Sequence, residues 1–410
     1  MKGERYKRIL ASILFFFLSA ALPLCAQEEE VLTLSEVVRQ VLAVHPLTQA
    51  AQARVEAMLE TVRQTRAYPN PIFTFTHSDF SRERTYSLSQ PLEWPFKRTY
   101  RIGVAKVEEQ IAESDQEKMR QDLIATARAA FLNVLLAQEQ SHVAEAFVET
   151  ANQLRRSTDK LFQEGDIAEF EVIKARVEAM RAEKDLEKTY GQVETARASL
   201  NLLLGKEADP SLPLAGSLLQ LPVVSPLEEF FTLAEEKNPL LTTQRQTLER
   251  EKLNLKLAWA SLMPDLAIDV VRGEDLQAGI VGPGVSVVFS FPLWDRKEGA
   301  IAAARGKVVE AEATLRATRL QVHQALLIAY HNWEVAKGQV EAFMQGLIVQ
   351  AEEAAVLAQR SYREGEGDLL GVLDAERGFL TVRRDYVQTL FERQMAWVAL
   401  EQAAGIGTAE

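Results

Sequence analysis

The chain repeats its own pattern, and this internal duplication constrains the fold more than any other feature. Phe162-Gln163-Glu164-Gly165 returns as Tyr362-Arg363-Glu364-Gly365, and Gln90-Pro91-Leu92 returns as Phe291-Pro292-Leu293, in both cases about 200 residues later. Solenoid repeats have periods of only about 20–50 residues. The sequence therefore predicts two duplicated structural repeats, at 27–225 and 226–410. Each has the order helices, strand pair, long helical hairpin.

Each repeat contains a helical stretch that is too long for a compact domain. From Lys97 to Phe162 there is no proline and Gly103 is the only glycine, and the stretch is rich in strong helix formers. At about 1.5 Å per residue, its roughly 65 residues predict a rod on the order of 100 Å long. The stretch from Arg296 to Arg363 is equally long and free of proline, so it predicts a second rod.

A glycine turn ends each rod and allows a second helix to run back. Gly165 and Gly365 suit the left-handed position that follows a helix. Asp166, with Glu169 three residues later, predicts a capping box for the first return helix, and Asp368 does the same in the second copy. The result is two antiparallel helical hairpins. Their narrow apolar seams on more than one side predict lateral packing into a larger assembly.

Two alternating strand pairs precede the rods, at about 71–80 with 84–92 and at about 265–272 with 284–292. Phe73 and Phe75, for example, alternate with threonines, which places them on one face of a strand. An amphipathic sheet over a soluble core fits this pattern alone. The direct connection to two exported rods, with little left to form a soluble core, instead favours a transmembrane barrel with its apolar side toward lipid.

Four strands cannot enclose a pore, because membrane barrels begin at about eight. Two chains would supply about eight strands, which leaves an interior filled by side chains, and three would supply about twelve, which leaves room for a channel. A channel therefore favours a trimer.

The N-terminus has the pattern of an export signal. A basic start precedes the apolar run from Ile9 to Leu22, and the segment closes at Ala26. The run is shorter than the roughly 20 residues of a spanning helix, so residues 1–26 are predicted to be a cleaved signal peptide. An uncleaved anchor and lipidation at Cys25 are the alternatives. Cys25 is the only cysteine, which excludes disulfides and cysteine-built zinc sites from the mature chain.

The charge and the missing motifs exclude several function classes. The formal net charge is −12, and residues 1–26 carry four basic side chains and one acidic, so the mature chain has −12 − 3 = −15. An acidic chain is a poor nucleic-acid binder. The sequence has no catalytic constellation and no phosphate loop, and His323 and His331 have weak ligand spacing. We expect no enzymatic activity, no cofactor and no resident metal.

Four sequence motifs resemble those of the TolC-type outer-membrane efflux channels, and most closely those of the cobalt–zinc–cadmium type components of RND cation pumps. The resemblance covers essentially the whole mature chain, and Phe96 stands where that branch usually has a glycine. It implies a homotrimer in which helical hairpins form an α-barrel across the periplasm. Four strands per chain then complete a twelve-stranded barrel in outer-membrane lipid. The four motifs that carry this resemblance are Tyr68–Pro71, Gln90–Arg98, Ala198–Gly205 and Pro292–Arg296.

The resemblance also implies a gate at the periplasmic mouth, narrowed by acidic residues just after the second hairpin turn. Tyr362 and Asp374 match that pattern. The other acidic position is Gly371 here, with Asp368 nearby, and Glu171 is the matching acid of the first hairpin. The simpler interpretations are that Asp368 only caps a helix and that Asp374 lies on a solvated helix face.

The hairpin turns look like the tips that meet a periplasmic adaptor, through Gly165, Asp166, Gly365 and Gly367. The expected partners are that adaptor and an inner-membrane RND pump, which supplies the energy while this chain conducts passively. Heavy-metal cations are the expected cargo, and a multidrug or type I secretion exit channel is the alternative. An alternative of another class is a periplasmic coiled-coil adaptor, although adaptors generally carry one hairpin.

Overall fold

The computed structural model describes residues 31–206, 213–220 and 225–407. The predicted signal peptide and Cys25 lie outside them. Across these ranges, no helix combines the length and apolar character needed to cross a membrane. The elements, in chain order, are α1 (Leu34–Val44), α2 (Pro46–Arg66), β1 (Ile72–Ser78), β2 (Glu83–Leu92), α3 (Pro95–Glu164), α4 (Glu169–Leu203), α5 (Leu227–Lys237), α6 (Pro239–Ala260), β3 (Asp265–Asp275), β4 (Ile280–Ser290), α7 (Glu298–Ala342), α8 (Ile348–Arg363) and α9 (Leu369–Ala404).

The same order of elements occurs twice in the described chain. Two short helices, a strand pair and a long helical hairpin run from α1 to α4, and again from α5 to α9. The boundary between the repeats at residues 225 and 226 stays a prediction.

The first rod is one continuous helix, and the second is not. α3 has 70 residues, which is about 105 Å at the usual rise, and Pro95 occupies its first turn, where the missing N–H is tolerated. The second rod is interrupted between α7 and α8 by a π-helical turn, Phe343–Leu347, in which Gly346 has φ 148°. The sequence predicted the second rod but not this interruption, which occurs where Gly346 adopts a backbone conformation that other residues avoid.

The two rods and the two return helices all end in the same hydrogen-bonded motif. At the end of α3, Gly165 is left-handed and donates to the Phe162 carbonyl at 3.0 Å, while Asp166 N donates to the Leu161 carbonyl at 3.0 Å. This pair of bonds satisfies carbonyls that the helix would otherwise leave free. The same motif recurs at Gly205, Gly365 and Gly405.

The predicted caps of the return helices differ between the two copies. Asp368 Oδ1 accepts from Gly371 N at 3.0 Å at the start of α9, as expected. Asp166 does not cap α4, whose N-cap is Ala168 without a side-chain hydrogen bond. The predicted capping box was wrong because the position equivalent to Asp368 holds an alanine, which has no oxygen to accept the bond.

The main core lies near mid-length of the rods. α3 packs along α4 and also against α2, α6 and α9. Phe131 and Leu200 are almost fully buried there against Val37 and Val41 of α1, and each such side chain contributes about 1.5–3 kcal/mol on burial. A buried ion pair between Arg128 and Glu401 joins α3 to α9 at the same level.

The four strands form one antiparallel sheet in the order β1-β2-β3-β4. Residues that pair across antiparallel strands share a face, so the register defines two faces. The apolar face carries Phe73, Leu88, Val270 and Val285, which pair in one row across all four strands. The polar face carries Thr74, Thr85, Ser87, Ser89, Gly273, Gly284, Ser286 and Asp269, with Ile72, Pro91, Ala267, Val271, Ile280 and Val288 as its apolar exceptions.

The sheet is uncovered in the single chain. Every residue of β4 is exposed, and Phe73 and Val285 keep 65% and 74% of their surface accessible. A contiguous exposed apolar face of this kind marks a surface that meets lipid or another protein.

Candidate functional site

The tips of the two hairpins pack side by side at the ends of the rods. Tyr362 of α8 and Leu369, Val372 and Leu373 of α9 form a buried cluster with Ala175 of α4. The first and second repeats therefore meet here. This contact brings the predicted gate residues of both hairpins into one region.

Tyr362 and Glu171 contact each other directly. The Tyr362 hydroxyl donates to Glu171 Oε2 at 3.1 Å across the two hairpins, and the Tyr362 side chain is buried. Burial and the hydrogen bond to this carboxylate raise the pKa of Tyr362 far above its usual value, so the phenol stays a donor. Two residues that are 191 apart in sequence are thus brought together at the predicted site.

A second contact between the hairpins was not predicted from the sequence. Arg377 of α9 forms a two-point ion pair with Glu178 of α4, with Nε at 2.9 Å from Oε1. Glu178 is buried, and Arg181 Nη1 lies 3.7 Å from its Oε2. The hydrogen bond to Glu178 raises the pKa of Arg377, although burial opposes it. The pair therefore links the hairpins through a fixed positive charge.

Asp374 and Asp368 lie outside these contacts. Both are exposed, and Asp374 has no hydrogen bond or ion pair within the described residues, although its charge helps to raise the pKa of Arg377. The carboxylate of Asp368 is occupied by its cap. A Cβ at Gly371 would lie 3.0 Å from Asp368 Oδ1, so an acidic side chain at 371 would crowd this cap.

Glu376 is a further titratable group that sequence reasoning missed. It is buried beside α8, and Gln359 Nε2 donates to its Oε1 at 2.5 Å. Burial raises the pKa of Glu376. Val372 and Leu373, which are also buried, precede it by four and three residues, and this helical spacing is a signal that could have indicated its burial.

The turns themselves are open to solvent. Gly165 and Gly365 have φ 86° and 77°, and nothing lies within 4 Å of where their Cβ atoms would be. At Gly367 a Cβ would lie 3.3 Å from Ser361 Cβ and Tyr362 N, so this glycine permits close packing of the turn. Asp166 is exposed. The predicted docking residues are thus accessible, and docking itself stays a prediction.

An apolar seam runs along α4 next to the tip. Phe170, Ile173, Val177 and Met180 are 63%, 50%, 42% and 68% exposed. Their spacing of three, four and three residues is the a/d pattern that packs against a neighbouring helix. The seam has no partner within the described chain.

The tip region contains hydrogen-bonded and charged contacts between helices. Throughout residues 31–206, 213–220 and 225–407, no group of three or more histidine, cysteine, aspartate or glutamate side chains could hold a metal ion. These contacts can hold the two hairpins together, and a change in the charge of the side chains that form them can change how strongly they do so.

Comparison with known proteins identifies relatives over most of the chain. The family described as "Outer membrane efflux protein" matches residues 37–206 and 231–406. The cobalt-zinc-cadmium resistance protein CzcC of Cupriavidus metallidurans is 25% identical over 87% of this chain and 86% of its own. The alkaline protease secretion protein AprF of Pseudomonas aeruginosa is 21% identical over 86% of this chain and 77% of its own.

A solved structure, the outer-membrane channel OprN, superposes with a TM-score of 0.78 at 20% identity. The match covers 92% of this chain and 90% of that one. The predicted fold class, long helical hairpins forming an α-barrel with four strands per chain contributed to a β-barrel, is confirmed by this match and by others of the same kind.

Proposed function

The chain belongs to the outer membrane efflux protein family, and from this premise we propose that it is the exit channel for heavy-metal cations in a tripartite efflux system. It is an outer-membrane efflux channel that extends into the periplasm, and it is not an enzyme. In the proposed system, an inner-membrane RND pump supplies the energy, a periplasmic adaptor connects the two, and this chain conducts passively.

The proposed assembly is a homotrimer in outer-membrane lipid. One chain supplies four strands, and membrane barrels begin at about eight. Three chains supply about twelve, the number that leaves a channel rather than a filled interior. The exposed apolar face of the sheet supports its contact with lipid.

The helical part supports the same assembly. The α4 seam of Phe170, Ile173, Val177 and Met180 lies on the outside of the first hairpin, and Val349 and Val356 of α8 are 53% and 57% exposed at a spacing of one heptad. We propose that the seam of one chain packs against α8 of the next. Three such contacts would close the α-barrel.

The proposal that the cargo is heavy-metal cations is supported by the cobalt-zinc-cadmium resistance relative, which matches 87% of this chain. The protease secretion relative at 86% coverage supports the second candidate, a polypeptide exit channel. A strain that lacks this chain should accumulate Zn²⁺, Co²⁺ and Cd²⁺, measured by mass spectrometry of washed cells, and complementation should reverse this. Unchanged metal content together with loss of a secreted protein would favour the second candidate and overturn the first.

We propose that the tip contacts form the periplasmic gate. Tyr362–Glu171 and Arg377–Glu178 hold the hairpins together, and Asp374 places a free carboxylate beside them. Tyr362→Phe keeps the ring and removes only the donor, so it should raise single-channel conductance in planar bilayers. Tyr190→Phe removes the hydroxyl that donates to Glu145 at 3.0 Å, away from the tip contacts, and is the matched control, with conductance expected to stay at the wild-type level. Equal conductance of Tyr362→Phe and the wild type would refute a gating role for this bond.

The tips Gly165, Asp166, Gly365 and Gly367 are the proposed docking surface for the adaptor. Their support is the exposure of both turns at the ends of the rods. The adaptor would reach them without disturbing the buried contacts between the hairpins.

A further inference from the structure

The polar face of the sheet carries charge of one sign only. The charged strand residues on that face are Glu83, Asp265, Asp269 and Asp275. The basic strand residues, His77, Arg84 and Arg272, all lie on the apolar face. Within the described strands, all the charged residues of the polar face are therefore acidic.

Three of these four carboxylates are engaged or lie at the ends of the strands. Asp265 pairs with Lys97 Nζ at 2.9 Å. Asp275 Oδ1 accepts from Gln277 N and Ala278 N in the turn, and Glu83 is its register partner at the same end.

Asp269 differs from the other three. It lies near the middle of β3, about 13 Å from Asp265 along the strand, between Ser89 and Ser286. Its Oδ1 is buried without a hydrogen-bond partner within the described chain, and no ion pair neutralises it there.

We propose that Asp269 gives the β-barrel its preference for cations, as a ring of three carboxylates facing the lumen. This inference rests on the proposed trimer. Twelve strands spaced about 4.8 Å apart and tilted by about 40° give a backbone radius of about 12 Å. With a side chain that reaches about 3 Å inward, each carboxylate lies about 9 Å from the pore axis.

At these distances the three carboxylates attract cations through their electric field, and they are too far apart to bind one cation as a metal site. Carboxylates at a radius of about 9 Å are about 16 Å apart, whereas a bound cation needs its oxygens within about 2.6 Å. A distance of about 9 Å is within the screening length of about 10 Å at 0.1 M salt, but well beyond the length of about 3 Å at 1 M. The ring therefore acts on the whole cross-section at low salt and loses its effect at high salt.

The test is the reversal potential of the full-length channel in planar bilayers under a KCl gradient. From Coulomb's law with this screening, Asp269→Asn should lower the K⁺ to Cl⁻ permeability ratio by about fivefold near 0.1 M KCl and by less than about 1.5-fold near 1 M. Glu274→Gln removes the same charge from the same strand on the apolar face, and should leave the ratio unchanged.

If Asp269→Asn perturbs assembly, moving the carboxylate to a neighbouring position on the same face provides a second test. Ser286 is the register partner of Asp269 on the same face, so Asp269→Asn combined with Ser286→Asp should restore the preference. A wild-type pore whose selectivity is the same in Asp269→Asn at low salt, or is not restored by Ser286→Asp, overturns the inference and leaves the channel function intact. Absence of any pore from the wild type overturns both.

Discussion

Arg377 and Glu178 form the one two-point ion pair between the hairpin tips in the described chain, and the pair should resist opening. The Arg377 side chain is 46% exposed, so solvent screening limits its net contribution to about 0.2–1 kcal/mol. Arg377→Ala should therefore shift the tips toward the open state by about 1.4- to 5-fold per chain, measured as conductance in planar bilayers. Arg383→Ala, which removes an exposed arginine of the same helix, is the control. Conductance that rises equally in both variants would contradict a specific role for the pair.

Glu376 makes the tip sensitive to pH. Because burial raises the pKa of Glu376, the folded state binds this proton more tightly than the unfolded state does. The stability that protonation confers is present at acidic pH, and it is lost as the pH rises from the unfolded pKa through the folded one. Above that window the buried charge destabilises the fold.

Glu376→Gln should consequently raise the thermal unfolding midpoint in detergent at neutral pH, and the difference from wild type should shrink toward about pH 4. Glu353→Gln on the exposed side of α8 should change the midpoint at neither pH. A difference that grows on acidification would show that the sign of the argument is wrong.

At the residue scale, the sequence indicated part of the site. Tyr362 and Glu171 came from the resemblance, and the structure places them in contact. The Arg377–Glu178 pair joins residues 199 apart, and helical periodicity contains no information about which charged side chains of two different hairpins will meet. Asp166 was misassigned because its own sequence neighbourhood fits a capping box, although the helix begins at Glu169.

At the scale of elements, the hairpin turns are exposed to solvent, and Gly165 and Gly365 are needed there because both have a positive φ. Gly165→Val forces a β-branched residue to φ 86°, which costs about 1–2 kcal/mol, and it adds bulk where the adaptor is proposed to dock. We expect trimers at wild-type levels on semi-native gels but no metal efflux.

Gly191→Ala is the matched control for this substitution. Gly191 is exposed within α4 with nothing within 4 Å of an added Cβ, and alanine in a helix is favoured by about 1 kcal/mol. Efflux should persist in this variant. If Gly165→Val abolishes trimers instead, the turn is required for folding and the docking proposal loses its support.

The elements themselves were largely predictable. Helix propensity and the absence of proline predicted the extent of both rods. Two-residue alternation located all four strands to within a few residues. The break at Phe343–Leu347 was not predictable, because Gly338 and Gly346 look alike in sequence and only Gly346 takes a positive φ. Both glycines lie in one proline-free helical stretch, and the pattern of a single sequence does not distinguish them.

At the scale of the whole molecule, a single described chain leaves several surfaces without a partner. Its sheet is exposed on the apolar face, its α4 seam has no partner, and its polar face carries unneutralised carboxylates that suit a water-filled lumen. The duplication explains why one chain supplies two hairpins and two strand pairs. The number of chains depends on barrel closure, which is a property of the assembly and not of any segment.

The central claim is that three chains close one barrel, and the mass of the complex tests it most directly. Protein extracted from outer-membrane fractions in mild detergent should have the mass of three chains by native mass spectrometry. It should convert to single chains only on heating. A detergent-independent monomer, or a complex of two chains, would contradict the account.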